Sequence, residues 1–383
     1  MWGTRVRARV WASVAFAAVG LVAAACGPPP VTVPATLGIA SFTANHTSGP
    51  APLTTTFTWT IGGPDLSSLT CSLDVDGDGT YEVSIPHCTN STARSFSLTT
   101  PGTRTSHLRV TDGTSTVTSS PITLNVAAAA ADTFGITLRF DASVTVPQRA
   151  VFQQAATRWA QVIRTGLPDV PVDAVANECG TGAPAFNGTV DDVLIDASVV
   201  PIDGVSGVLA QAGPCLVRTG GGLPALGAMQ FDSADVANMT ANGQLADVVL
   251  HEMGHVLGFG TMWEPQVTGL GTSDPRFTGL TARGAWSALT GGNADTVPVE
   301  GTGGPGTADS HWRESVFGTE LMTGWISLGA NPLSQVTVGA LADLGYGVDL
   351  NAADAFPWSA SRDPFTPRTQ IETVLIRPTG TVG

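Results

Sequence analysis

The chain has 383 residues, enough for more than one domain with a sizeable core. Only 13% are charged, and 31 acidic against 17 basic side chains leave a net charge of −14. That balance argues against a nucleic-acid partner, since phosphate binding needs clustered cations, and here the only strong cations are scattered arginines.

Arg5, Arg7 and Arg9 precede an apolar run from Val10 to Ala25. The run is short for a bilayer span and stops at small residues, as a cleaved export signal does. "AAAC" before "GPPP" resembles a bacterial lipoprotein signal, although Ala23 stands where that pattern more often has leucine. The resemblance implies a signal peptide over residues 1–25 and a lipid on Cys26. The alternative is an ordinary secretory signal cut near Ala25. Either way an exported chain is expected, in the cell envelope on a lipid anchor or extracellular, and no other segment is apolar enough to span. Residues 26–37 are proline-rich and read as an extended linker.

Residues 38–126 are strand-like throughout. "APLTTTFTWTI", "YEVSI", "SFSLTT", "SHLRVTDG" and "STVTSSPITLNV" are short runs rich in Thr, Val and Ser, parted by Gly, Pro and Asp. Many short strands with turn signals predict an antiparallel sandwich. "SGPAPLTTTFTWT" and "DGDG" resemble the PKD-type immunoglobulin-like domains of bacterial surface proteins, which implies a spacer or binding module. Asp74, Asp76, Asp78 and Gly79 match the first half of a calcium loop. The closing glutamate of such a loop falls at Ile85, which cannot ligate, so a tight acidic turn is the preferred reading and Ca2+ binding the alternative.

With Cys26 set aside, Cys71, Cys88, Cys179 and Cys215 form an even set in an oxidising compartment. Sequence proximity, the only argument among three connectivities, pairs Cys71 with Cys88 and Cys179 with Cys215.

Residues 127–131, "AAAAA", read as a second linker, and residues 132–383 as a second domain. "FGITLRF" predicts a strand. A helix follows, with Phe152, Ala155, Ala156, Trp159 and Ile163 on one face and Pro168 ending it. "DDVLIDASVV" and "LGAMQFD" predict strands, and "MTANGQLADVVLHEMGHVLG" one helical run. The arrangement is α+β. From Phe259 onward Gly and Pro abound, and one helix is expected near "LSQVTVGALADLG".

The helical run carries H-E-x-x-H. His251 and His255, four residues apart, project from one helix face near enough to share a metal, and Glu252 beside them suits a base for a metal-activated water. The same pattern on a surface helix is two solvated histidines and a salt-bridging glutamate. Scarcity favours the metal: of six histidines, three follow residue 130, and two of those lie on this turn. Gly258 supplies the sharp break needed if a later segment brings the third ligand. If that ligand is an imidazole, His311 is the remaining candidate; the carboxylate rivals are Glu264 and Asp274.

"HEMGHVLGFGTMW", "HWRESVFGTELMTGW" and "LADLGYGVD" together resemble the leishmanolysin family of metzincin zinc endopeptidases, over roughly Asp132 to Leu350. The common metzincin pattern would place its third histidine at Thr261. Leishmanolysin-like chains insert a segment after the glycine, and His311 fits that layout. The resemblance implies one Zn2+ held by His251, His255 and His311, Glu252 as general base and Met322 as the floor beneath the metal. It also implies a peptide substrate extended along an edge strand, for which "GAMQFD" and "GVLAQAGP" are the candidates. In the family a propeptide cysteine caps the zinc of a latent precursor; the sequence leaves no room for such a propeptide between the sandwich and the catalytic strand, so the alternative cap is Cys179 or Cys215, and their disulfide is preferred. Trp263 and Trp312 line the site or pack, and Glu320 orients a neighbour or lies solvated in a turn.

The expected protein is thus multidomain, an immunoglobulin-like (PKD-like) all-β sandwich followed by an α+β metzincin-type domain. Its expected activity is zinc-dependent peptide hydrolysis, by a monomer held to a membrane through Cys26. The alternative is a surface adhesion protein that uses the second domain as a scaffold.

Overall fold

The computed structural model describes residues 36–63, 69–86, 88, 93–128, 132–219, 222–292, 295–358 and 367–383. The expected signal peptide, Cys26 and most of the first linker lie outside the described residues, as do 129–131 of the second linker. No helix among the described residues is long and apolar enough to cross a membrane.

Nine strands build the N-terminal part: β1 (Gly38–Ala44), β2 (Ser48–Pro50), β3 (Leu53–Gly62), β4 (Thr70–Asp74), β5 (Val83–Pro86), β6 (Ala93–Leu98), β7 (Gly102–Thr111), β8 (Thr116–Thr118) and β9 (Ile122–Ala127). One sheet runs β1-β3-β6, the other β2-β9-β7-β4-β5 with β8 against β7. All pairs are antiparallel except β2 with β9. The two sheets enclose one core, with Phe57, Trp59 and Ile61 from the first meeting Cys71, Leu73, Leu108, Val110 and Leu124 from the second. Alternation along the strands puts these side chains inward. A Cys71–Cys88 disulfide closes the β4 side.

The outer face of the first sheet is not solvated. Thr54 and Thr56 of β3 are buried. Thr54 Oγ1 donates to Val348 O at 2.7 Å, Ser95 Oγ to Thr281 O at 3.2 Å, and the Leu350 amide to Ser97 Oγ at 2.9 Å. The partners belong to helix α4 (Leu280–Leu289) and to the segment after helix α6 (Gln335–Leu344). The two sheets are therefore seated on the second half of the chain rather than strung from it as a spacer.

That half is built on a mixed sheet. Strands β10 (Ile136–Phe140), β13 (Val193–Val200) and β15 (Pro224–Asp232) are parallel, and β14 (Ala210–Arg218) runs antiparallel to β15. A hairpin of β11 (Val170–Ala174) and β12 (Phe186–Val190) stands beside it. Helix α1 (Val146–Val162) starts with Pro147 in its first turn and with Gln148 Oε1 accepting the Thr145 amide at 2.8 Å. Its Phe152, Ala155, Trp159 and Val162 enter the main core with Val193, Ile195 and Ala197 of β13, while Leu194 faces a smaller core on the other side of the sheet.

Several expectations need correction. Helix α1 stops at Val162, well before Pro168, and Ile163 is its extended C-cap residue, bridged to Val348. The expected single helical run is two helices, α2 (Ser233–Asn242) and α3 (Leu245–Val256), parted by a left-handed Gly243. Neither candidate edge is free: β15 lies between β13 and β14, and β14 is covered by the short strands Thr373–Leu375 and Gly380–Val382. The glycine-rich remainder holds three helices, α4, α5 (Glu314–Phe317) and α6, where one was expected.

Candidate metal centre

Helix α3 packs between α1 and strands β14 and β15. Its Val248, Val249, Met253 and Val256 are buried in the main core, and Trp159 of α1 donates its indole N–H to Leu250 O at 3.0 Å. The burial extends to the polar residues: His251, Glu252, His255 and His311 are each 0% exposed.

The three imidazoles converge. His251 Nε2 lies 3.0 Å from His255 Nε2 and 3.1 Å from His311 Nε2, and the last pair is also 3.1 Å apart. Each outer nitrogen meets a main-chain carbonyl. His251 Nδ1 donates to Leu321 O at 2.7 Å, His255 Nδ1 to Phe259 O at 2.8 Å, and His311 Nδ1 to Thr307 O at 3.1 Å. A carbonyl only accepts, so each neutral ring carries its proton outward on Nδ1. Three Nε2 lone pairs then face one another with no hydrogen between them. That is unfavourable unless a cation lies at their centre, and three neutral nitrogens suit zinc. Burial lowers the basicity of the rings, to about 4 at His251 and, with help from His251, about 3 at His311. His255 is pushed well down by burial, then by His311 and His251. All three stay neutral at physiological pH.

The chain path explains the carbonyls. After α3, Gly258 adopts φ +103° and turns the backbone back, so that Phe259 N bonds Gly254 O and Phe259 O reaches His255. His311 follows a turn beginning at Gly304, whose Thr307 O it meets. Leu321 is held by Glu320, which is wholly buried rather than solvated. Glu320 Oε2 accepts the Met322 amide at 2.6 Å, while Oε1 accepts Ser334 Oγ at 2.7 Å and Thr337 Oγ1 at 2.5 Å. Burial raises the Glu320 carboxyl, and these donors oppose the rise. Met322 reaches under α3 between the two histidines, where a Cβ on Gly254 would lie 2.9 Å from Met322 Cε.

Glu252 has one partner. Its Oε1 accepts the Thr373 hydroxyl at 2.6 Å, and its Oε2 is buried without any. Burial pushes this carboxyl up to about 8, against the pull of Thr373. A buried carboxyl oxygen with no hydrogen-bond partner, on the same helix as two of the three converging imidazoles, is free to take a proton.

Other candidates fall away from this centre. Glu264 pairs with Arg377, and Asp274 with Arg313 at 2.7 Å. Trp263 and Trp312 are fully buried and meet Phe259 and Phe277 in tilted or edge-to-face contacts; their indoles donate to Asp309 O and Thr337 Oγ1. They pack rather than line an opening. Cys179 and Cys215 form a disulfide, so neither thiol is free to cap the histidines. In the acidic turn, Asp74 accepts the amides of Gly77 and Gly79 at 2.7 and 3.1 Å, Ile85 is in the sandwich core, and Glu82 rather than residue 85 joins the group.

Sequence reasoning missed Thr373 and left Glu320 undecided. Glu320 had a signal, two residues before Met322 in "ELMTG"; Thr373 had none. Residues 183–274 and 280–364 match the model of the leishmanolysin family, peptidase M8, which supports a leishmanolysin-like metallopeptidase. The match takes in α3, His311 and Met322 but not α1, the sandwich or residues 367–383. No curated protein matches the chain.

Proposed function

We propose that the chain is a leishmanolysin-type zinc metalloendopeptidase, exported and lipid-anchored through Cys26. The observation that carries this reading is the convergence of three Nδ1-tethered imidazoles within 3.1 Å, with Glu252 on the same helix keeping one oxygen unpaired. His251, His255 and His311 would hold zinc, which supplies Lewis acidity toward a peptide carbonyl and toward water. Glu252 accepts the proton of the attacking water at Oε2 and returns it to the leaving amine. Met322 supports the ligand helix from beneath. The main-chain carbonyls of Leu321, Phe259 and Thr307 keep the rings oriented as proton donors outward and lone-pair donors inward.

The N-terminal sandwich, PKD-like in this reading, is packed on the peptidase half as part of one monomer. Peptides or proteins are the substrates. The test is hydrolysis of a mixed peptide library by the mature chain, beside Glu252→Ala with zinc content matched. Cleavage by the unaltered chain alone supports the reading. Equal, measurable turnover by both forms, or a chain that takes up no zinc, overturns it.

A further inference from the structure

The four residues of the centre are sealed from solvent, and residues 368–383 lie across Glu252 as part of that seal. Thr373–Leu375 lies along β14 in parallel register, with Thr373 against Ala210, Val374 against Gln211 and Leu375 against Ala212. Backbone bonds continue on both sides: Leu209 N to Glu372 O at 2.8 Å, Ile376 N to Ala212 O at 2.8 Å and Thr379 N to Cys215 O at 2.9 Å. These are the main-chain groups that an extended peptide would use to dock on a free strand edge. On the far side the segment is pressed against the turn before His311, where a Cβ on Gly306 would lie 2.2 Å from Thr373 O. Thr373 also fills the single used hydrogen-bonding position of Glu252.

We propose that residues Arg368–Gly383 are an autoinhibitory strap: the chain's own end occupies the cleft, and peptide enters only when the strap leaves. This rests on the peptidase reading for what enters, not for the closure. The strap is built to be displaced. Its strand over the centre has three residues, and the middle one, Val374, is 46% exposed. Its flanks are held by the ion pairs Arg368–Glu314 and Arg377–Glu264, by Arg377 Nη1 to Thr261 O at 3.1 Å, and by one deep apolar anchor, Ile371. Arg368–Glu314 is largely buried, but Arg377–Glu264 is half-exposed, and so short a strand with an exposed tether on one flank belongs to the low-stability end of a fold.

The experiment compares three zinc-loaded proteins: the mature chain, the chain ended after Thr366, and Arg377→Glu, which sets a like charge against Glu264 and removes the bond to Thr261 O. Two readouts are taken, the rate at which a soluble chelator strips the zinc and the hydrolysis of a mixed peptide library. The strap predicts zinc removal faster by about tenfold or more in both altered forms, as the open population rises. Should the shortened chain fail to fold, Arg377→Glu decides by itself. Zinc removal within about twofold of the mature chain overturns the strap, and hydrolysis by the mature chain would then leave the peptidase reading intact. Faster removal with no hydrolysis by any form supports the strap and overturns the peptidase reading.

Discussion

The carboxylate of Glu320 accepts the amide of Met322 at 2.6 Å, and it does so from full burial with three further donors around it. That bond fixes the turn whose Leu321 carbonyl orients His251. Glu320→Ala removes the acceptor and leaves several buried donors unpaired, at a cost of about 2–3 kcal/mol. A purely structural role would lower the melting temperature alone. The expectation here is also a zinc affinity weaker by about 10- to 100-fold, read by competition with a chelator. Glu320→Gln, which keeps an acceptor oxygen, should recover part of that affinity. An Ala variant with undiminished zinc affinity would refute the positioning role.

Glu252 takes one hydrogen bond, from Thr373, and its Oε2 has no partner. Glu252→Gln should therefore keep the zinc while losing about 10²–10⁴ of kcat, the usual worth of a positioned base. The check is kcat at equal metal content. A drop in zinc occupancy equal to the drop in rate would show a structural residue instead.

Asp232 caps α2 and sits fully buried at the end of β15. Burial alone would raise its carboxyl, but the amides of Gly204, Ile202, Ala234 and Asp203 outweigh it and hold the group at about 2 against an ordinary 3.8. A depressed carboxyl contributes stability that is present above the unfolded value and lost as pH falls through the folded one. The mature chain should thus lose this contribution between pH 3.8 and about 2. Asp232→Asn should be less stable by about 1–2 kcal/mol at neutral pH, with the gap closing across that window. Urea titrations at pH 6, 4 and 2.5 measure it. A gap that stays constant would mean the charge is irrelevant.

The threonine face of β3 is sealed against α4 and the segment after α6. Residues 132–383 expressed alone would expose that face and the backbone groups it satisfies. The fragment should melt at least about 5 °C below the mature chain. Thermal scans of both, in excess zinc, decide the point; equal melting temperatures would restore the picture of a detached spacer.

How much of this was legible depended on range. His251, Glu252 and His255 could be read because their spacing is helical and local. His311 was reachable because histidine is scarce in this chain, although 56 residues part it from His255. Cys71–Cys88 and Cys179–Cys215 followed from proximity. The break at Gly243 escaped notice because both sides are helical in composition, and α4 because Gly and Pro surround it. The covering of β14 could not be read at all. It pairs residues 163 positions apart through backbone atoms, which carry no sequence signal. The main-chain acceptors of the three rings were invisible for the same reason.

Those acceptors also decide how the centre tolerates drift. Leu321, Phe259 and Thr307 orient the rings through carbonyls that every amino acid possesses. Replacing their side chains with others of similar volume leaves ring orientation untouched. What the lineage cannot change freely is the route of the backbone, at Gly258 and in the turns before His311 and Met322. Selection on the metal centre would then appear as constraint on turn residues and spacing, with considerable freedom at the three positions that hold the histidines in place.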